Sequence, residues 1–235
     1  MQRWLVTGAA EVDVVGLREH KLLSELGVTG ATTWSRKAGW KLAVEPGLVG
    51  PNGGPSSGVA VGARSYVGVG GWPGGNEVVL VPGRCAGAWI NGVVRGGLCA
   101  ASLYLIVGEG LSPANLGILA QVAEAIKRLS GPWVLMGDWN VTPGELEASG
   151  WVAAVGGMIV APDEATVDAP GGRTIDYFVI DQRLASAVRG VQAQRHACVA
   201  THFPVVLLLS GKARAATTLV LRRPRGSPVD LPIGC

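Results

Sequence analysis

Apolar residues along the chain gather into short runs rich in Val, Ile and Leu, each closed by Gly or Pro. Runs of that length and composition read as β-strands rather than helices. They predict strands over 12–17, 58–63, 77–81, 98–107, 133–137, 174–180, 188–194 and 203–209. One stretch carries the helical period instead. Ser112 is a suitable N-cap, Pro113 fits the first helical position, and Leu116, Leu119, Ala120, Ala123, Ile126 and Leu129 share one face before Gly131 stops it. Shorter helices are expected over 21–26 and 182–187. Many strands with few helices, and no regular strand–helix alternation, predict an α/β protein built on a largely antiparallel sheet or pair of sheets.

Composition narrows the class. With 235 residues, 48% of them hydrophobic and 16% charged, the chain can bury a full core and is not disordered throughout. The 36 glycines follow no triplet period, which excludes collagen. No apolar run reaches membrane-spanning length, and the first residues lack the apolar core of a secretory signal, so an intracellular protein without membrane contact is expected. Segments 46–57 and 68–76, dense in Gly and Pro, read as surface loops within one domain. From Gly211 the chain turns Arg- and Pro-rich with little periodicity. This divides it into a domain over 1–210 and a basic, disordered tail over 211–235. The tail holds Lys212, Arg214, Arg222, Arg223 and Arg225 against Asp230 alone, so the formal charge of +3 belongs to it and not to the body. Cys85, Cys99, Cys198 and Cys235 form no C-x-x-C pair, which predicts buried free thiols rather than a zinc site or disulfide framework.

Two motif matches fail on context. Gly54-Pro-Ser-Ser-Gly58 fits G-x-S-x-G, but that turn needs a strand before the serine and a helix after it, and here a Pro/Gly loop precedes a strand. The glycines of 68–75 do not complete a dinucleotide fingerprint, and no P-loop lysine is present.

What survives is a set of polar residues at strand ends. Glu19 closes the first strand; Asp138-Trp139-Asn140 closes the strand from Trp133; Asp176 lies among Ile175, Tyr177, Phe178 and Val179; His202 precedes the last strand. A carboxylate in such apolar surroundings requires a partner, and a histidine is a natural one. The eight tryptophans and the histidines His20 and His196 read as packing and surface groups, with Trp139 set apart by its place between Asp138 and Asn140.

Taken in order, LREHK, GDWNVTP, RTIDYFVI and ATHFPVV resemble the blocks of the endonuclease/exonuclease/phosphatase superfamily, the DNase I-like phosphodiesterases. Gly58–Arg64 resembles that family's G-v-a-i-l-s-R strand, and Leu103-Tyr104-Leu105 resembles the strand whose tyrosine approaches the phosphate. The resemblance spans about residues 12–209 and implies a two-sheet α/β sandwich. It implies an Mg²⁺- or Mn²⁺-dependent phosphodiesterase, an endonuclease on nucleic acid with DNA favoured over RNA and no obligate protein partner. Glu19 would be a metal ligand, Asp138 would orient or deprotonate water, and Asn140 would hold phosphate or that water. His202 would act as base or phosphate clamp with Asp176 fixing its tautomer, and Tyr104 would hydrogen-bond the phosphate. A retroelement origin fits the same blocks.

The chain departs from the family pattern at two places. Thr201 stands where the family has Asp, and the family's first strand with its metal-ligand Asn has no counterpart before Glu19, as in an N-terminally truncated chain or one that has lost that strand. These departures leave two alternatives: a catalytically degenerate domain of the same fold, or a phosphoesterase for a substrate other than nucleic acid.

Overall fold

The computed structural model describes residues 5, 9, 11–73, 79–94, 96–169, 171–197 and 201–210. Its strands are β1 (Val14–Arg18), β2 (Trp40–Glu45), β3 (Leu48–Val49), β4 (Pro55–Ser56), β5 (Val59–Arg64), β6 (Val69–Gly70), β7 (Val79–Val81), β8 (Cys85–Ile90), β9 (Leu98–Tyr104), β10 (Trp133–Asp138), β11 (Gly157–Val160), β12 (Asp176–Asp181), β13 (Val188–Ala193) and β14 (Val205–Leu209). The helices are α1 (Glu25–Lys37), α2 (Pro113–Lys127), α3 (Pro143–Ala148) and α4 (Trp151–Ala154), with a 3₁₀ turn over Gln182–Ala187. One sheet runs β11-β12-β10-β9-β8-β6 with β7 also on β8; a second runs β1-β5-β2; β13 pairs with β14, and β3 with β4. Every pairing is antiparallel except β9 with β10, which α2 joins as a crossover. The expected two-sheet, largely antiparallel α/β architecture is the observed one.

Side chains alternate across these strands, and the alternation builds four layers. Trp133, Leu135, Tyr177 and Val179 turn to α2, where Leu119, Val122 and Ile126 meet them. Val134, Met136, Phe178 and Ile180 turn the other way, onto Val61 and Ala63 of the second sheet. Beyond that sheet, Val15, Leu17 and Ala60 pack with Trp40, Leu5 and Trp34 of α1. Cys85 and Cys99 are buried free thiols, as expected, and burial raises the thiol pKa of both, that of Cys99 to about 12. Cys198 and Cys235 lie outside the described residues, as does the whole segment 211–235.

Several boundaries differ from the sequence expectations. The strand expected over 98–107 ends at Tyr104, because Asn115 takes over the backbone N–H and C=O of Ile106. The strand expected from 174 begins at Asp176, because the Thr166 hydroxyl accepts from the N–H groups of both Ile175 and Asp176. The helix expected over 21–26 lies instead at Glu25–Lys37, started by the Ser24 hydroxyl on the Gly27 N–H. Strands β2, β8 and β11, and helices α3 and α4, were not expected. Parts of the loops 46–57 and 68–76 form the short ladders β3-β4 and β6-β8. Ser57, inside the G-x-S-x-G match, is buried and accepts the Leu48 N–H, with no helix after it.

Candidate active site

Strand register assembles the site. Asp138 on β10 sits directly opposite Asp176 on β12, and on its other side opposite Tyr104 on β9. All three therefore stand abreast at one end of the sheet, on the face toward the second sheet. From there β1 contributes Arg18, and Leu17 is tied across by the Ser102 hydroxyl donating 3.0 Å to its carbonyl. His202 arrives from the segment before β14, held by a bridge to Val167.

Asp176 is 1% exposed and is shared by a histidine and an arginine. Its Oδ2 lies 2.7 Å from His202 Nδ1, and its Oδ1 accepts from Arg18 Nη2 at 3.1 Å. The ion-paired hydrogen bond to Asp176 raises the His202 pKa above its ordinary 6.5, against the burial that lowers it. Asp138 is 6% exposed and its pKa rises from 3.8 to about 6. Burial is the main cause and the facing Asp176 carboxylate the next; Arg18, His202 and the Asn140 N–H offset part of it. Ligand atoms of Asp138, Asp176 and His202 lie within 4.8 Å of one another, close enough to hold one cation.

Asn140 follows with φ +51, a left-handed conformation that Asn tolerates better than most residues. Its backbone N–H donates to Asp138 Oδ1 at 3.3 Å and its Nδ2 to the Leu105 carbonyl at 2.8 Å. Tyr104 donates to Glu19, and the Arg84 guanidinium lies 5.1 Å from the Tyr104 ring centre. Glu19 is exposed on the rim, outside the close Asp138–Asp176–His202 group. Thr201 is exposed, with φ +69, and its carbonyl accepts the Asp168 N–H.

Two cations of the site are not singled out by the sequence pattern. Arg18 was visible in LREHK as a positive charge beside Glu19, but only the sheet-to-sheet packing reveals its reach to Asp176. Arg84 had no signal, since it enters through the turn before β8. Trp139 is fully buried, stacked on Tyr177 at 5.2 Å with its Nε1 donating to the Tyr177 carbonyl, so it is core and presents no face for a base. His20 is half-buried and not a surface group. Its Nδ1 accepts the Leu22 N–H, and its ring covers Gly58, where φ is +90 and a Cβ would lie 2.6 Å from the ring. His196 is exposed.

A sequence model described as the endonuclease/exonuclease/phosphatase family matches residues 2–197. The chain belongs to that family. Among solved structures, it is similar to the endonuclease domain of TRAS1, a telomere-specific non-LTR retrotransposon, at 14% identity and TM-score 0.63, covering 88% of this chain and 91% of that one. It is also similar to a 3′-5′ exonuclease of Neisseria meningitidis at 19% identity and TM-score 0.64, covering 89% and 93%. A third is an AP endonuclease from Archaeoglobus fulgidus, at 15% identity and TM-score 0.61, covering 89% and 92%. At such identities the likeness concerns the fold. A search of curated protein sequences returns no match. Among the described residues, no helix is long and apolar enough to cross a membrane.

Proposed function

We propose that this family member is a divalent-metal-dependent phosphodiesterase that hydrolyses nucleic acid, as an endonuclease acting on DNA in preference to RNA. The observation that carries the reading is the Asp138–Asp176–His202 group, two facing carboxylates with an imidazole hydrogen-bonded to one of them. The donor chemistry fits a hard cation, because Asp138 and the facing Asp176 bring carboxylate oxygens within 4.8 Å of one another and of His202. Asp138, beside Asp176, would hold Mg²⁺ or Mn²⁺, with Glu19 on the rim as the further ligand that the family resemblance implies; when bound, the ion supplies positive charge to the non-bridging phosphate oxygens.

The remaining work falls to the chain itself. Asp176 holds His202 at Nδ1, which orients the ring and leaves Nε2 to take or give a proton at the attacking water or the phosphate. Asn140, braced on Leu105, keeps Asp138 in place through its N–H. Arg18 balances the two carboxylates and, with Arg84 and the Tyr104 hydroxyl, makes the rim attractive to an anion. That a Neisseria neighbour is described as a 3′ phosphatase bound to a product DNA hairpin supports nucleic acid as the substrate class.

A second reading, a domain that binds phosphate without turnover, has two observations in its favour. Arg18 already engages Asp176, and Thr201 brings no carboxylate. Parallel incubation with duplex DNA, single-stranded RNA and a phosphate monoester, in Mg²⁺ and in EDTA, separates these readings. The proposal predicts Mg²⁺-dependent cleavage of DNA above RNA and above monoester. Equal rates in EDTA, or hydrolysis of the monoester alone, would overturn it.

A further inference from the structure

Strands β1 and β14 are each unpaired along one edge among the described residues: β1 bonds only to β5, and β14 only to β13. The hydrogen-bond pattern shows which backbone groups are left over. The Arg64 N–H donates to the Asp13 carbonyl, so Asp13, Val15 and Leu17 make the bonds to β5, and Val14 and Gly16 turn their N–H and C=O away from it. The Gln194 N–H donates to the Pro204 carbonyl, so Val206 bonds to β13, and Val205 and Leu207 turn away. The two edges bound one cavity of about 460 Å³. Strand β1 packs over β9 and the near side of β10, and β14 over β12. Val134 and Met136 of β10 and Phe178 of β12 form an apolar floor between them.

We infer that this slot binds an extended segment of a separate polypeptide, with alternate residues aliphatic and a Lys or Arg at each end. Two rows of N–H and C=O groups facing each other over an apolar floor are complementary to one extended backbone. Such a strand gives donors and acceptors to both sides and every second side chain to the floor. Five residues match the five of β1 and the five of β14. Strand β1 ends at the Asp138–Asp176 end of the cavity and β14 begins there, so an intervening strand is antiparallel to one and parallel to the other whichever way it enters. Charge narrows the partner further. Glu11 and Asp13 stand at the mouth where β1 begins, and Glu19, Asp138 and Asp176 at the opposite end. The basic residues that line the cavity among those described, Arg18 and His202, are both engaged by Asp176, so both ends attract a cationic partner. Arg18 closes β1 and His202 precedes β14, so a strand bound between the two edges also fixes the spacing of the two groups that hold Asp176.

Residue-resolved amide hydrogen exchange on the full chain tests this, with the acetylated and amidated peptide Lys-Val-Thr-Val-Thr-Val-Lys as the probe. Without peptide, the amides of Val14, Gly16 and Leu207 should exchange at least about tenfold faster than those of Val15 and Val206, which already bond within their sheets. Millimolar peptide should slow the first set at least about tenfold. The same peptide with its central valine replaced by proline should not, because it has no N–H at that position. Glu11→Lys alters an exposed side chain at the mouth and should weaken peptide binding about threefold in a chain that still folds. Edge amides already slow without peptide would overturn the inference: the slot would then be filled by the chain itself or, if protection rises with protein concentration, by a second copy. Edge amides indifferent to the peptide, equal protection by the proline peptide, or binding unchanged by Glu11→Lys would overturn it as well.

Discussion

Replacing Asp138 by Asn should stabilise the protein while abolishing its activity. The carboxylate is 6% exposed and faces Asp176, and its pKa rises from 3.8 to about 6. A raised acid pKa means that the folded state binds a proton more tightly than the unfolded chain. Keeping Asp138 ionised therefore costs stability, a cost absent below pH 4 and fully present above pH 6. Two pKa units at about 1.4 kcal/mol each give a penalty on the order of 3 kcal/mol at pH 8. Asparagine is permanently neutral, nearly isosteric, and its Oδ1 can still accept the Asn140 N–H that Asp138 accepts now. The gain at pH 8 should raise the melting temperature by about 6–12 °C for a domain of this size. Thermal melts of both proteins from pH 4 to pH 8 provide the assay. The difference should vanish near pH 4 and grow through pH 6. A variant equal to or less stable than the parent at pH 8, or a gain that does not depend on pH, would refute the reasoning.

Other expectations rest on separate contacts. His202 has its pKa raised by Asp176, so a rate that needs the neutral imidazole should climb with pH through that raised value. Asp176→Asn should move the climb to lower pH, which a pH–rate profile of the two proteins reads directly. His202 also contributes stability that is complete below pH 6.5 and lost as pH rises through its raised pKa, so His202→Ala should cost more stability at pH 6 than at pH 9, measured by urea titration. Gly137→Ala should destabilise by about 1–3 kcal/mol, because a Cβ there would lie 2.3 Å from Trp139 Nε1; unchanged urea midpoints would contradict the packing. Trp139→Ala should cost about 3–5 kcal/mol as a core truncation, and a folded variant with weakened DNA binding alone would show instead that the ring meets substrate.

The parts of this fold that were legible in the sequence are those fixed by local pattern. Helix α2 was readable because Ser112, Pro113 and an unbroken apolar stripe all agree. Strands β1, β5, β10 and β12 were readable because Val and Ile runs end at Gly or at a carboxylate. Helix α1 was not, since Gly27, Gly30 and its threonines are weak helix formers and tertiary packing of Trp34 and Ala38 holds it. Strand β8 is mostly small residues, Cys-Ala-Gly-Ala, whose role emerges only when Trp72 covers Gly87. Helix α3 did have a signal, the Thr142–Glu145 capping box with Pro143, which the strand reading passed over. For the site, the apolar surroundings of Asp176 called for a partner, and His202 sits against it. The second partner, Arg18, comes from another sheet and 158 positions away in the chain, a distance at which local pattern carries no information.

The most direct test of the central claim is single-turnover nicking of supercoiled plasmid by the full chain and by His202→Ala, each in Mg²⁺ and after EDTA. The account predicts nicking in Mg²⁺ that EDTA stops and that falls at least about a hundredfold in the variant. Nicking that survives either change would contradict it, as would a folded parent protein that leaves the plasmid intact.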